Sequence, residues 1–226
     1  MHEWNVTPTE AVALQKELAR RVNRSNGLPL DAIKTIAGVD ASYKDQGFAV
    51  IVVMTFPELE EIERVTAARE SVFPYVPGLL SFREAPIVLD AFARLRTRPD
   101  LLMCDGQGIA HPRRLGLASH LGVYLDIPSI GCAKSRLTGK YEEPGPRMGD
   151  RSPLMSRDET IGMVVRTKPR TNPLFVSIGN KIDLPTAVEI VLACLRGYRL
   201  PEPTRIADKL SRSLRSTDES AAEPPG

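Results

Sequence analysis

Apolar residues recur along the chain with a spacing that changes from segment to segment. Over residues 7–21, Val12, Leu14 and Leu18, followed by Val22, are apolar with charged residues between them, a helical period that Thr7 or Thr9 can cap. Asn26-Gly27-Leu28-Pro29 reads as a turn. Three strand-like runs follow. Residues 36–43 (IAGVDASY) and 47–56 (GFAVIVVMTF) are nearly continuous in apolar character, and residues 61–72 are more exposed. Tight connections between them predict an antiparallel meander. Residues 81–96 then carry Ile87, Leu89, Ala91, Phe92 and Leu95 on one side of a helix. A short apolar strand, 101–105, ends in Asp105 and a glycine turn; a helix is expected at 113–121, strands at 129–133, 161–167 and 174–178, and helices at 186–195 and 203–214. The order β-β-β-α-β-α-β with later helices predicts an α/β fold, a mixed sheet covered on both faces. Residues 139–160 have prolines and no apolar period and read as a surface loop, and no internal repeat is present.

At 226 residues the chain suits one domain, drawn over 1–210, with 211–226 expected to be a disordered tail. A hydrophobic share of 42% against 26% charged excludes a wholly disordered protein and leaves the reaction type open. Thirty Lys and Arg against 28 Asp and Glu leave a net charge of only +2, so a surface for nucleic acid has to come from local clustering. One such excess lies between Lys134 and Arg170. Cys104, Cys132 and Cys194 are odd in number and set in apolar runs, which argues for reduced thiols in a cytoplasmic protein. No stretch approaches the roughly 20 apolar residues that span a bilayer, and no membrane partner is expected.

Asp40 stands inside an apolar strand, where an ionised carboxylate is costly unless something positive is bound beside it. Asp105 ends another apolar strand, at the edge where open α/β sheets bind ligands. Glu84 follows Ser81 by three residues. It can be the second half of a capping box as readily as part of a site. Taken together, the three acids are the type of set that holds hard, oxygen-seeking Mg²⁺ beside a phosphodiester.

The strings GVDASY (38–43), PYVPGLLSFREAP (74–86), DGQGIAHPRRLGLASHLG (105–122), GCAKSRLTG (131–139) and GYRLPEPTRIAD (197–208) resemble, in order, the motifs of the endonuclease V family. The resemblance implies a ribonuclease-H-like sheet, three antiparallel strands and then parallel ones, with helices on both faces. It further implies hydrolysis of the second phosphodiester on the 3′ side of an inosine, in repair of deaminated adenine, leaving 3′-hydroxyl and 5′-phosphate ends. Asp40, Glu84, Asp105 and Asp208 match its metal carboxylates, for Mg²⁺ or Mn²⁺, and Lys134 and His111 match positions near the cut phosphate. Tyr75, stiffened between Pro74 and Val76-Pro77, matches a wedge that replaces a base in the stack.

Hypoxanthine carries a 6-oxo group and a proton on N1. Reading it calls for backbone groups that approach closely, and Gly78 with Leu80, and Gly106, Gly108 and Ile109, are the candidates. The partners implied are DNA, single- or double-stranded, or RNA containing inosine, met by a monomer. An inosine-specific endoribonuclease and a non-catalytic ribonuclease-H-like binding module are the alternatives. Two residues depart from the pattern: Gln107 stands where a histidine often follows the Asp-Gly pair, and Asn180 stands where a histidine is expected after glycine.

Overall fold

In the computed structural model, which describes residues 2–25, 29–43, 46–70 and 73–222, the three early apolar runs become β1 (Thr35–Tyr43), β2 (Gln46–Thr55) and β3 (Glu61–Glu70). They pair antiparallel, with Thr35 opposite Thr55 and Tyr43 opposite Gly47. On the other side of β1, β4 (Leu101–Cys104) and β5 (Ser129–Ala133) run parallel to it. Antiparallel β8 (Leu174–Asn180), β7 (Glu159–Val165) and β6 (Arg151–Ser156) complete an eight-stranded sheet of order β3-β2-β1-β4-β5-β8-β7-β6. This is the mixed ribonuclease-H-like sheet expected from the sequence.

The unbroken apolar run of β2 is explained by helices on both sides. Val50, Val52 and Met54 lie on the sheet face that carries α4 (Leu184–Ala193) and α5 (Glu202–Ala222), with α5 against β2, while Ala49, Ile51 and Val53 lie on the face that carries α2 (Leu80–Phe92) and α3 (Leu117–Leu125), with α2 against β2. Each buried aliphatic side chain contributes roughly 1.5–3 kcal/mol over leaving it exposed. The summed alternation therefore fixes strand register, since a slip of one residue in β1 would turn Asp40 into the α2 layer. Outside α3 packs α1 (Pro8–Ala19), which Thr7 caps as expected: its hydroxyl accepts from Glu10 N at 3.3 Å, while the Glu10 carboxylate accepts from Thr7 N at 2.8 Å.

Two expectations are corrected. The helix predicted at 113–121 begins at Leu117, because Arg114 is left-handed at φ 60° and Gly116 is extended. The predicted loop at 139–160 contains β6, an edge strand that tolerates Pro153 because its outer backbone needs no partner; only Ser152 and Leu154 bury, too short an alternation to stand out. Helix α5 covers the helix expected over 203–214, with Ser211 buried and Leu214 packed against the core. Asn26, Gly27 and Leu28 of the expected turn, Val72 at the end of the third run, and the last four residues lie outside the described residues.

Helix α5 reaches β1 through Gly38. A Cβ there would lie 2.0 Å from the Pro203 carbonyl oxygen, so only glycine lets the helix backbone sit on the strand. Gly38→Ala should therefore lower unfolding free energy by about 1–3 kcal/mol, the scale of an overpacked core. Urea denaturation measures it, and a loss under about 0.5 kcal/mol, the range of surface substitutions, would mean that the helix does not dock as described.

Candidate active site

Register puts the first two carboxylates side by side. Val39 pairs with Cys104 in the parallel ladder, so the next residues, Asp40 and Asp105, are neighbours on the α5 face, and Asp105 N donates to Val39 O at 2.9 Å. The seating of α5 on Gly38 brings Asp208 and Ser211 to the same place. Ligand oxygens of Asp40, Asp105 and Asp208 all lie within 4.8 Å of one another. Ser211 Oγ donates to Asp40. Lys134, just beyond β5, reaches in from the side and pairs with both Asp105 and Asp208, the latter at 2.5 Å.

Electrostatics single out this cluster. Burial, then repulsion from Asp105, pushes the Asp40 pKa up to about 7 against the hydrogen bond from Ser211. Burial, then repulsion from Asp40 and Asp105, takes Glu84 to about 8. Asp105 is likewise raised, chiefly by burial, although Lys134 opposes the shift. Burial also works against the charge on Lys134, but the pull of Asp105 and its bonds to Asp105 and Asp208 win, and its pKa rises. Lys134 is a fixed cation here, not a base. One ammonium among four carboxylates leaves negative charge that the protein can carry only by holding protons. A divalent cation with oxygen-ligand preference fits this donor set.

Glu84 is not in the tight group of three. It sits in the first helical turns of α2, on the wall of an adjacent cavity of about 210 Å³ that Asp105 also lines. The capping-box account of Ser81 and Glu84 does not hold, because Leu79 is the cap residue and Ser81 Oγ meets the ring of His120 at 3.0 Å. The same cavity is lined by Tyr75, Val76, Pro77, Gly78 and Leu80 on one side and by Gly106, Gln107 and His111 on the other. Tyr75 is 69% exposed at its rim, and Pro74 is exposed beside it.

Gly78, left-handed at φ 78°, anchors this wall. Its carbonyl accepts from Gln15 Nε2 at 3.0 Å, Arg113 at 2.6 Å and His111 Nε2 at 3.1 Å. His111 Nδ1 accepts from Arg113 N at 3.1 Å, so the ring proton belongs on Nε2. Burial, then the charge of Arg113, depresses the His111 pKa to about 4, so the ring is neutral. In this arrangement His111 holds a loop and has no proton left to give a phosphate.

Gly108 and Ile109 do not reach the cavity. Gly108 N donates to Ser177 Oγ and Ile109 N to Ile178 O at 2.7 Å, so neither amide is free to read a base. Of the two departures, Gln107 lines the cavity and its amide donates to Ser135 O at 2.9 Å. Asn180 is buried elsewhere, donating to Gly122 O and accepting from Asn23 N, so its substitution does not touch the site. Within the basic excess, Arg166 is structural: its guanidinium is spent on Gly145 O, Pro144 O, Thr171 O and Glu143. Residues that line or brace the site and were missed include Ser211, Gln15, Arg113 and Leu137. Only Ser211 carried a signal, three residues from Asp208 on a helix.

The chain matches the family model for endonuclease V over residues 16–209. It is 51% identical over 213 residues to endonuclease V of Nostoc sp., covering 93% of this chain and 96% of that one. Its structure is similar to that of endonuclease V from Streptomyces avermitilis (TM-score 0.88, 43% identity, 97% and 96% of the two chains). It is also similar to Ciona intestinalis endonuclease V in complex with a 24mer DNA containing an inosine followed by a ribo-adenosine (TM-score 0.83, 30% identity, 92% and 98%).

The raised carboxylates make stability depend on pH in a defined direction. The unfolded chain sheds these protons near the ordinary carboxylate range of about 4, and the folded chain only near 7 for Asp40 and 8 for Glu84. Between those values the folded state holds more protons, so stability is complete below the lower one and falls as pH rises through the upper. In EDTA the melting temperature should drop from pH 5 to pH 8, added Mg²⁺ should restore it at pH 8, and Asp40→Asn should flatten the profile. A wild-type profile already flat in EDTA would contradict the burial of these charges.

Proposed function

This chain belongs to the endonuclease V family of nucleases, and on that premise we propose that it is a metal-dependent endonuclease that cuts the second phosphodiester bond 3′ to an inosine. The observation that carries the reading is the group of Asp40, Asp105 and Asp208, braced by Lys134, opening through Asp105 and Glu84 onto a base-accepting cavity. The likeness to a relative held with inosine-containing DNA supports the substrate class. Free, buried cysteines suit a reducing compartment, no helix among the described residues is long and apolar enough to cross a membrane, and we assign the protein to the cytoplasm as a monomer.

Asp40, Asp105 and Asp208, with Glu84 on the cavity side, are the residues that would hold Mg²⁺ or Mn²⁺. The bound ion supplies Lewis acidity at the phosphodiester. The hypoxanthine ring leaves the stack for the cavity, and Tyr75 takes its place at the rim. The Gly78 and Gly106 loops fix the base, and with it the phosphate downstream. Water adds to phosphorus, the bond from phosphorus to the 3′ oxygen breaks, and that oxygen gains a proton, leaving 3′-hydroxyl and 5′-phosphate ends. Lys134 stabilises the charge that gathers on the phosphoryl oxygens, and it does so without moving because Asp105 and Asp208 already hold it.

The test is single-turnover cutting of end-labelled DNA and RNA strands, each with one inosine or with adenosine in its place, in Mg²⁺ and in EDTA. Cutting is expected only with inosine and metal, at one bond, and the faster of the two strand types names the substrate. Lys134→Ala should lower the rate by about 10²-fold or more, the scale of a lost electrostatic stabiliser, and arginine should rescue it only in part. An alanine variant that cuts within about threefold of wild type would return Lys134 to a surface role.

A further inference from the structure

We propose that α5 and Tyr198 form a second binding track, on which the strand flanking the cut lays its phosphates along Lys209, Arg212 and Arg215 and stacks one base on Tyr198. This rests on the nuclease reading above and names a part of the substrate that the cavity does not touch.

Steps of three or four residues place Arg205, Lys209, Arg212 and Arg215 along one side of α5, and Asp208, which points into the metal site, lies within that stripe. The stripe is about 15 Å long at the helical rise of 1.5 Å, enough for about four phosphates of a stacked strand at about 3.4 Å each. Two of its four cations, Lys209 and Arg215, have no acidic partner among the described residues. Asp208 serves Lys134, and Glu202 is taken by Arg205 through two bonds of 2.6 and 2.7 Å. Arg212 reaches Asp208 through Nη2 at 3.0 Å and Nε at 3.1 Å while its side chain stays 60% exposed, and neither Lys209 nor Arg215 makes an ion pair among the described residues.

At the N-terminal end of the stripe stands Tyr198, an aromatic ring left 51% exposed. The Arg205 guanidinium, held by Glu202, lies 4.3 Å from the ring centroid and the Lys168 ammonium 6.0 Å from it. A half-exposed aromatic ring with two cations at it can offer its uncovered part to a base and the cations to a phosphate. It is also coupled to the chemistry. The neighbouring Arg199 reaches the carbonyl of Lys134 at 2.6 Å, so a strand leaving the metal site past Lys134 meets Tyr198 next.

Binding of fluorescein-labelled single-stranded DNA with one inosine, followed by anisotropy in Ca²⁺ over a range of salt, tests the track. Two strands are needed: a long one with flanks on both sides, and a short one holding only the inosine and the cut bond. Lys209→Ala with Arg215→Ala should reduce the salt slope for the long strand by about 1.4, at about 0.7 per phosphate. Tyr198→Ala should weaken the long strand about tenfold and Tyr198→Phe should not. Affinity for the short strand should be unchanged in all three. Wild-type slope and affinity in the variants would overturn the track, as would equal losses on the short strand, with melting curves confirming that each variant is folded. A wild-type protein that neither binds nor cuts the inosine strand would remove the nuclease reading and the track together.

Discussion

Like charges held close in a poorly hydrated space are the constraint around which this molecule is arranged. Two carboxylates 4.8 Å apart repel by about 3 kcal/mol at an effective dielectric of about 20, and Asp40, Asp105 and Asp208 are all at least that close. Lys134 offsets only part of this, because it can pair with two of the three, and Glu84 adds a further acid at the edge. The protein alone can relieve the strain only by keeping protons, whereas a divalent cation brings the charge of the three aspartates and the lysine to zero. The same arithmetic explains why Lys134 stays charged: removing its proton would leave Asp105 without its cation and only Arg212, on Asp208, to offset the cluster.

The fold is built to tolerate that strain. Two of the acids sit on adjacent strands whose register is locked by alternating apolar layers, so repulsion cannot part them without sliding a strand of the central sheet. The third comes from a helix pressed onto Gly38, where there is no side chain to hold it off. The adjacent cavity, by contrast, is walled largely by loops. Those loops are stiffened by prolines around Tyr75, by three donors converging on the Gly78 carbonyl, and by a small cluster in which Phe73 and Leu79 pack with Ala11 and Phe82.

Legibility in the sequence followed the same division. Asp40 and Asp105 could be read because a carboxylate in an apolar strand breaks the pattern, and the meander and parallel strands because β1, β2, β4 and β5 are buried on both faces and read as apolar runs. Strand β6 could not, since an edge strand with a proline and two buried residues has almost no period. Asp208 came from the family words rather than from physics, because an acid on a polar helix face looks like any other. Gln15 and Arg113 were invisible for another reason: their partner is a backbone carbonyl 63 or 35 residues away, and a carbonyl has no letter in the sequence. Gly108 and Ile109 erred in the opposite direction. A glycine loop suggests approach to a ligand, and here the thing approached is the backbone of β8, 2.0 Å from where a Gly108 Cβ would stand.

Asp105 belongs to both halves of the site, and this bears on how recognition and chemistry are joined. Its carboxylate is one of the three clustered on the α5 side, and it also lines the cavity on the α2 side together with Glu84. A base entering the cavity displaces water from the neighbourhood of both acids, which raises the cost of leaving them ionised without a cation. Filling the cavity therefore strengthens the demand for metal, and a bound metal lowers the cost of filling the cavity, since the linkage is reciprocal. A strand whose base cannot enter leaves the acids wetter and the metal less tightly required. On the proposed function, selectivity for the base and competence for the cut then share a physical origin, the hydration of the wall that Asp105 and Glu84 form between them.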